Sequence, residues 1–147
     1  MRDSTDTYFM KIANLVSERS TCTKQKVGTV LVRDKHILAT GYNGAPRGIS
    51  HCTPETCLRK DFSSLEESHL CRGVHAEQNT IIQSALHGKS PKGSTLYSTH
   101  FPCMSCLKIL MNAGVKRIVY KNDYDMENEV KMNLLKEAGI QIAKLVV

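Results

Sequence analysis

The chain carries His75-Ala76-Glu77 and, after a gap of 24 residues, Pro102-Cys103-Met104-Ser105-Cys106. One imidazole and two thiolates can hold Zn²⁺ and leave a fourth tetrahedral position open, as catalytic rather than structural zinc sites do. For these side chains to meet, the chain between them must leave and come back to one place, and this constrains the fold more than any other feature. Cys103 and Cys106 are three apart and share a face if they sit on a helix. His75 and Glu77 are two apart and diverge in mid-helix, so they converge only within a first turn. Two adjacent helix starts aimed at one zinc satisfy both spacings. The unpaired amides and positive dipole there favour thiolate. Pro102 fits before or within such a turn, where its missing N–H costs nothing. Glu77 is not needed as a ligand and can carry protons at the open position.

The rest of the pattern alternates. Residues 6–19 place Tyr8, Ile12, Leu15 and Arg19 at helical spacing, with Ser4 or Asp6 as N-cap. Val27–Val32 and Ile37–Tyr42 read as strands around the polar turn Arg33-Asp34-Lys35, a hairpin. The 31 residues from Gly44 to Val74 have weak periodicity and several turn formers. A stretch of that length is either functional or held by something else. His75 opens a second helix ending near Gly88, and Ser94–Ser98 reads as a strand. Cys103–Asn112 is a helix stopped by Gly114, followed by a strand over Arg117–Tyr120. Glu127–Ala138 forms a last helix ending at Gly139, and Ile140–Val146 a last strand. This predicts an α/β fold: a three-layer α/β/α sandwich whose five-stranded sheet is made mixed by the hairpin. Its 147 residues suit one domain, 1–147, with a Cys-rich insertion at about 44–74.

The N-terminus has charges and hydroxyls where a signal peptide needs an apolar run, and no stretch approaches membrane-spanning length. A cytosolic chain with no membrane partner is expected. There, six cysteines favour metal ligands or catalytic groups over a disulfide framework. The net charge of +6 suits an anionic ligand such as a nucleotide or RNA, and equally a plain solvated surface. His36 and His87 read as surface residues, and Met10, Met104, Met111 and Met132 as core filler.

An H-x-E and a P-C-x-x-C together form the signature of zinc nucleobase deaminases, which gives a reaction class and not a substrate. The segment Gly41-Tyr42-Asn43-Gly44-Ala45-Pro46-Arg47-Gly48 narrows it. With Arg19-Ser20-Thr21-Cys22, Val27-Gly28 and Thr99-His100-Phe101-Pro102-Cys103, it resembles the deoxycytidylate (dCMP) deaminase family over about residues 8–145. The likeness is to bacterial and bacteriophage members, including those encoded in competence operons. It implies a cytidine deaminase-like fold and hydrolysis of dCMP to dUMP and ammonia, a source of dUMP for thymidylate and dTTP synthesis. It also implies a homo-oligomer, often a hexamer, activated by dCTP and inhibited by dTTP. His75, Cys103 and Cys106 are then the catalytic zinc ligands and Glu77 the proton shuttle.

Asn43 is the first candidate for substrate binding, followed by Lys26, Thr99 and Tyr120 at strand ends flanking the zinc motifs. Gly44, Pro46 and Arg47 form a turn suited to sugar and phosphate or to an effector nucleotide, or are an ordinary hairpin exit. Arg19 and Lys24 suit a phosphate or a surface. Cys22, Cys52, Cys57 and Cys71 are enough for a closed second zinc site tying the insertion to the first helix. The resemblance implies a second zinc at positions like Cys22 and Cys52, and His51 or His69 can replace one thiolate. Two other readings stay open. One is a tRNA adenosine deaminase, disfavoured by the lack of a basic-aromatic cluster near the C-terminus. The other is a non-catalytic zinc-stabilised competence or interaction module, which has no use for Glu77.

Overall fold

Ser4 Oγ accepts the Thr7 amide at 3.1 Å and caps helix α1 (Thr5–Ser17), satisfying one of its orphan donors. In the computed structural model, which describes residues 1–58, 71–123 and 128–146, strands and helices then alternate. They are β1 (Gly28–Arg33), β2 (His36–Tyr42), α2 (Ala76–Leu86), β3 (Thr95–His100), α3 (Met104–Ala113), β4 (Arg117–Asn122), α4 (Asn128–Glu137) and β5 (Gln141–Lys144). The expected start of α4 at Glu127 lies outside the described residues. Asp34 and Lys35, at φ of 52° and 63°, make a two-residue turn between β1 and β2. Left-handed turn residues match the strand twist, so Arg33 joins the strand rather than the turn. At the other end of the chain, Gly139 turns at φ 74° and the Ile140 amide bonds Leu135 O at 2.9 Å. That helix exit absorbs Ile140, and β5 begins one residue later than its apolar run suggests.

The sheet order is β2-β1-β3-β4-β5. β1 is antiparallel to β2 and β3, while β3, β4 and β5 run parallel, the mixed five-stranded sheet expected from the hairpin. Side chains alternate across it. Val30, Val32, Tyr97 and Val119 pack with Phe9, Met10 and Ala13 of α1 on one face. Leu31, Leu96, Ile118 and Tyr120 pack with Leu107 and Leu110 of α3 and Leu135 of α4 on the other. α2 joins this second face, where the Thr29 hydroxyl reaches Thr80 and Ala76 O. The result is three layers. Among the described residues, no helix is long and apolar enough to cross a membrane.

The buried stripe of α1 differs from the expected one. Phe9, Met10 and Ala13 are buried, whereas Tyr8 and Leu15 are exposed. Gly28 explains the rotation: a Cβ there would press on Ala13 O and lie 2.5 Å from the Ser17 amide. The helix therefore meets β1 backbone to backbone, along its small residues.

Asp6 is not a cap. Its carboxylate takes both Arg117 guanidinium hydrogens, at 2.9 and 2.7 Å, and the Tyr97 hydroxyl at 2.7 Å. Arg117 holds the Asp6 carboxyl below its usual 3.8. A depressed carboxyl contributes stability above 3.8 that is lost as pH falls through its folded value. Asp6→Asn should thus cost about 1 kcal/mol at neutral pH and nothing in acid, flattening the acid limb of a melting-temperature profile. An unchanged acid limb would refute the assignment.

Candidate metal centre

Both halves of the split signature begin helices. His75 is the N-cap of α2, with φ −68° and ψ 150°, and Cys103 is the N-cap of α3, with φ −71° and ψ 168°. Glu77 and Cys106 follow in the first turns. The chain reaches His75 through an antiparallel bridge, Gly44 N–H to Val74 O at 3.2 Å and Val74 N–H to Gly44 O at 2.8 Å. The long stretch from Gly44 to Val74 therefore leaves and re-enters at one point, one residue before the imidazole. On α2, Gln78 Oε1 accepts the His75 amide at 3.0 Å, and Asn79 Nδ2 donates to Tyr42 O at 2.8 Å. These two residues fix the helix start to the end of β2. The sequence reading passed over Gln78, although three residues past an N-cap is the capping-box position and would have pointed to it.

His75 Nδ1 lies 3.5 Å from Cys103 Sγ and 3.4 Å from Cys106 Sγ. Tetrahedral zinc with its usual N and S bond lengths places such atoms about 3.5 Å apart, so these residues fit the ion. Among the described residues they are the one group of three or more His, Cys, Asp or Glu whose ligand atoms all lie within 4.8 Å of one another. Metal-free, Cys103 accepts a hydrogen bond from the Cys106 thiol and is held down to about 3, with His75 and Ser105 assisting. Giving that hydrogen bond, together with burial, pushes Cys106 up. Ser105 Oγ sits 3.3 Å from the Cys103 sulfur and can donate to the thiolate. Glu77 is 6% exposed. Burial, then the Cys103 charge, raises its carboxyl to about 7. Its neighbours are therefore two sulfurs and an imidazole, in a site dry enough to hold a proton on a carboxylate.

The remaining candidates fall into three groups. Asn43 stands beside the α1–β1 loop: its Oδ1 accepts Ser20 Oγ at 2.6 Å and the Val27 amide at 2.9 Å, and its Nδ2 donates to Gln25 O at 2.8 Å. Lys26 and Arg47 are exposed, and Pro46 and Ile49 close a turn around Arg47 with a 3.1 Å hydrogen bond. Thr99 and Tyr120 are buried. The Tyr120 ring packs tilted against Phe101 with centroids 4.7 Å apart, and burial pushes its hydroxyl pKa up.

Cys22, Cys52, Cys57 and Cys71 are free thiols, and no three of their sulfurs lie within 4.8 Å of one another. Burial, then Cys71, Cys22 and Cys57, raise the Cys52 thiol, opposed by Arg72. Cys22 Sγ accepts the Lys24 amide at 3.5 Å and Cys71 Sγ the Gly73 amide at 3.3 Å. His51 is exposed, and His69 lies outside the described residues.

The model of the cytidine and deoxycytidylate deaminase zinc-binding region matches residues 3–122. A deoxycytidylate deaminase of Saccharomyces cerevisiae is 37% identical over 142 residues, which are 97% of this chain and 45% of that protein. ComE operon protein 2 of Bacillus subtilis is 38% identical over 144 residues, 98% of this chain and 72% of the relative. The chain thus spans less than half the length of the yeast protein. The crystal structure of a dCMP deaminase from the cyanophage S-TIM5, in complex with dCMP and dUMP, superposes with a TM-score of 0.82 at 34% identity, covering 99% of both chains.

Proposed function

This chain belongs to the cytidine and deoxycytidylate deaminase zinc-binding family, and on that premise we propose that it hydrolyses dCMP to dUMP and ammonia. The observation that carries the proposal is a proton-holding Glu77 beside three ligands at tetrahedral zinc spacing. Bound there, Zn²⁺ supplies an activated water near neutral pH. The chain's own residues do the rest. Glu77 takes one proton from the attacking water and passes it to the pyrimidine ring nitrogen, then takes the second from the newly added hydroxyl and gives it to the amine, so that the carbonyl forms as ammonia leaves. Burial favours the protonated carboxyl of Glu77 and the metal's charge would favour the ionised one, opposing pulls that suit a group which both accepts and gives up protons. His75, Cys103 and Cys106 would hold the metal, whose charge favours the thiolate form of both sulfurs. The product would serve as a source of dUMP for dTTP synthesis.

Ammonia release measured side by side with dCMP, deoxycytidine, CMP and an adenosine-containing tRNA anticodon stem-loop tests this reading. Turnover of dCMP is expected. Turnover of the stem-loop alone would replace it with the tRNA reading, and zinc binding without turnover would favour the interaction module.

The proposal extends to a second, structural zinc held by Cys22, Cys52, Cys57 and Cys71. The amide-to-sulfur bonds at Cys22 and Cys71, two residues on in each case, are the contacts that steady metal thiolates. Metal analysis should find two zincs per chain in the wild type and one in Cys57→Ala. Equal content in both proteins would end this part of the proposal. Effector binding of dCTP and dTTP around Gly44, Pro46 and Arg47, and assembly into a hexamer, complete the reading. The exposed Arg47 turn and the exposed apolar Ile82, Leu86 and Ile109 support them. Light scattering with and without each nucleotide checks both.

A further inference from the structure

Side chains on a helix lean toward its N-terminus, so a residue in the first turn reaches back over the cap. Cys103 is the N-cap of α3, and Ser105 is the second residue of the helix. Ser105 Oγ accordingly lies 3.3 Å from Cys103 Sγ, and among the described residues that sulfur is its one hydrogen-bond partner. A helical serine often donates to the carbonyl four residues back. Here the hydroxyl turns to the sulfur instead.

Cys106 is placed differently. It is fully buried. Its sulfur meets His75 Nδ1 at 3.4 Å, Cys103 and the Glu77 carboxyl, and among the described residues no hydroxyl reaches it. The two sulfurs of the split signature therefore sit in unequal surroundings, one at the rim with a hydroxyl and one in the interior beside a carboxylate. In the metal-free protein either partner of the Ser105–Cys103 contact can donate. A thiolate that holds a metal has no proton, so there the hydroxyl is the donor. Hydrogen bonds to a ligand sulfur draw charge off it and are among the levers by which proteins tune a metal. The lever matters at this site because two thiolates formally cancel the charge of Zn²⁺, on which activation of a water depends.

We propose that Ser105 tunes the metal centre through Cys103, its hydroxyl taking up part of the thiolate's charge and leaving the ion more electron-poor. Ser105 acts through the ligand and not on the substrate, so it is a positioning residue. The proposal rests on the deaminase reading of the site and deepens it. Positions 104 and 105 are the two that a P-C-x-x-C pattern leaves open, so the hydroxyl is a feature of this chain and not of the signature.

Cobalt(II) in place of zinc reports on this contact through its near-ultraviolet sulfur-to-metal charge-transfer band. Ser105→Ala should move that band to longer wavelength, because a sulfur without its hydrogen bond gives up charge more easily. In the zinc-loaded protein the same substitution should lower kcat for dCMP about tenfold at unchanged zinc content. Ser105→Thr, which keeps the hydroxyl, should restore the band and most of the rate. Lys108→Ala, at an exposed position of the same helix, should alter neither. Melting temperature establishes that each variant is folded. An unmoved band in Ser105→Ala, a shift that Ser105→Thr shares, or a shifted band with undiminished kcat would overturn the assignment. The cobalt spectrum needs no substrate. If the wild type deaminates no pyrimidine, the deaminase reading fails alone, and the band in Ser105→Ala still decides the role of Ser105.

Discussion

Glu77→Gln is expected to keep zinc at wild-type content and to lower kcat by about three orders of magnitude. General acid–base groups contribute roughly 10²–10⁴-fold, and Glu77 serves several proton transfers in succession. Glutamine has nearly the same shape and keeps a carbonyl acceptor, so the helix start and the three ligands should stay in place. What it lacks is a titratable oxygen. The same substitution has a second signature that a merely structural residue would not give. Burial raises the Glu77 carboxyl from 4.5 to about 7 in the metal-free protein. A carboxyl raised in this way favours folding fully below 4.5, and that contribution is lost as pH rises through about 7. The loss is on the order of 3 kcal/mol. Metal-free wild type should therefore melt progressively lower between about pH 5 and pH 8, and Glu77→Gln should not follow it. The variant would be inactive yet more stable above neutrality. A Glu77→Gln enzyme that retains a tenth of wild-type kcat would remove Glu77 from the proton path.

The order of elements was legible because two periodicities are written plainly into the chain. Val30, Val32, Tyr97 and Val119 alternate with Leu31, Leu96 and Ile118 so that each strand shows an apolar side to both helix layers. The metal ligands were legible because histidine and cysteine at these spacings have few other uses. The lost information is of two kinds. The rotation of α1 depends on a glycine 15 residues from Ala13, and helical spacing within α1 contains no trace of Gly28. The cysteines of the insertion show the same limit from the other side. Residue type suggested four ligands, but only the loop geometry decides whether four sulfurs converge.

Gly41→Ala should act on packing and on the metal together. Gly41 lies on β2 where α2 crosses it. A Cβ there would drive into Ala76 O and Thr80 Oγ1 and stand 2.6 Å from the Thr80 amide. Two of those three atoms are helix backbone, which cannot rotate out of the way, and Thr80 is fully buried against Thr29. The helix itself must retreat. Overpacking of this sort costs about 1–3 kcal/mol, observable by denaturant unfolding. The retreat also carries His75 and Glu77, which sit one residue before and one residue after Ala76. Misplacement of a reacting constellation by about 1 Å costs roughly a hundredfold in rate, so activity and zinc affinity should fall further than stability. Gly48, in the same Gly41–Gly48 segment, supplies the contrast. It has φ 87° and, among the described residues, no atom within 4 Å of an added Cβ, so Gly48→Ala meets backbone strain without a clash there. That should cost about 1 kcal/mol and leave zinc affinity alone. Equal effects of the two substitutions on zinc affinity, measured by chelator competition, would mean that α2 is not positioned through Gly41. If instead only Gly41→Ala loosens the metal, a single close approach between strand and helix holds His75 and Glu77 at the distance from Cys103 and Cys106 that the chemistry needs.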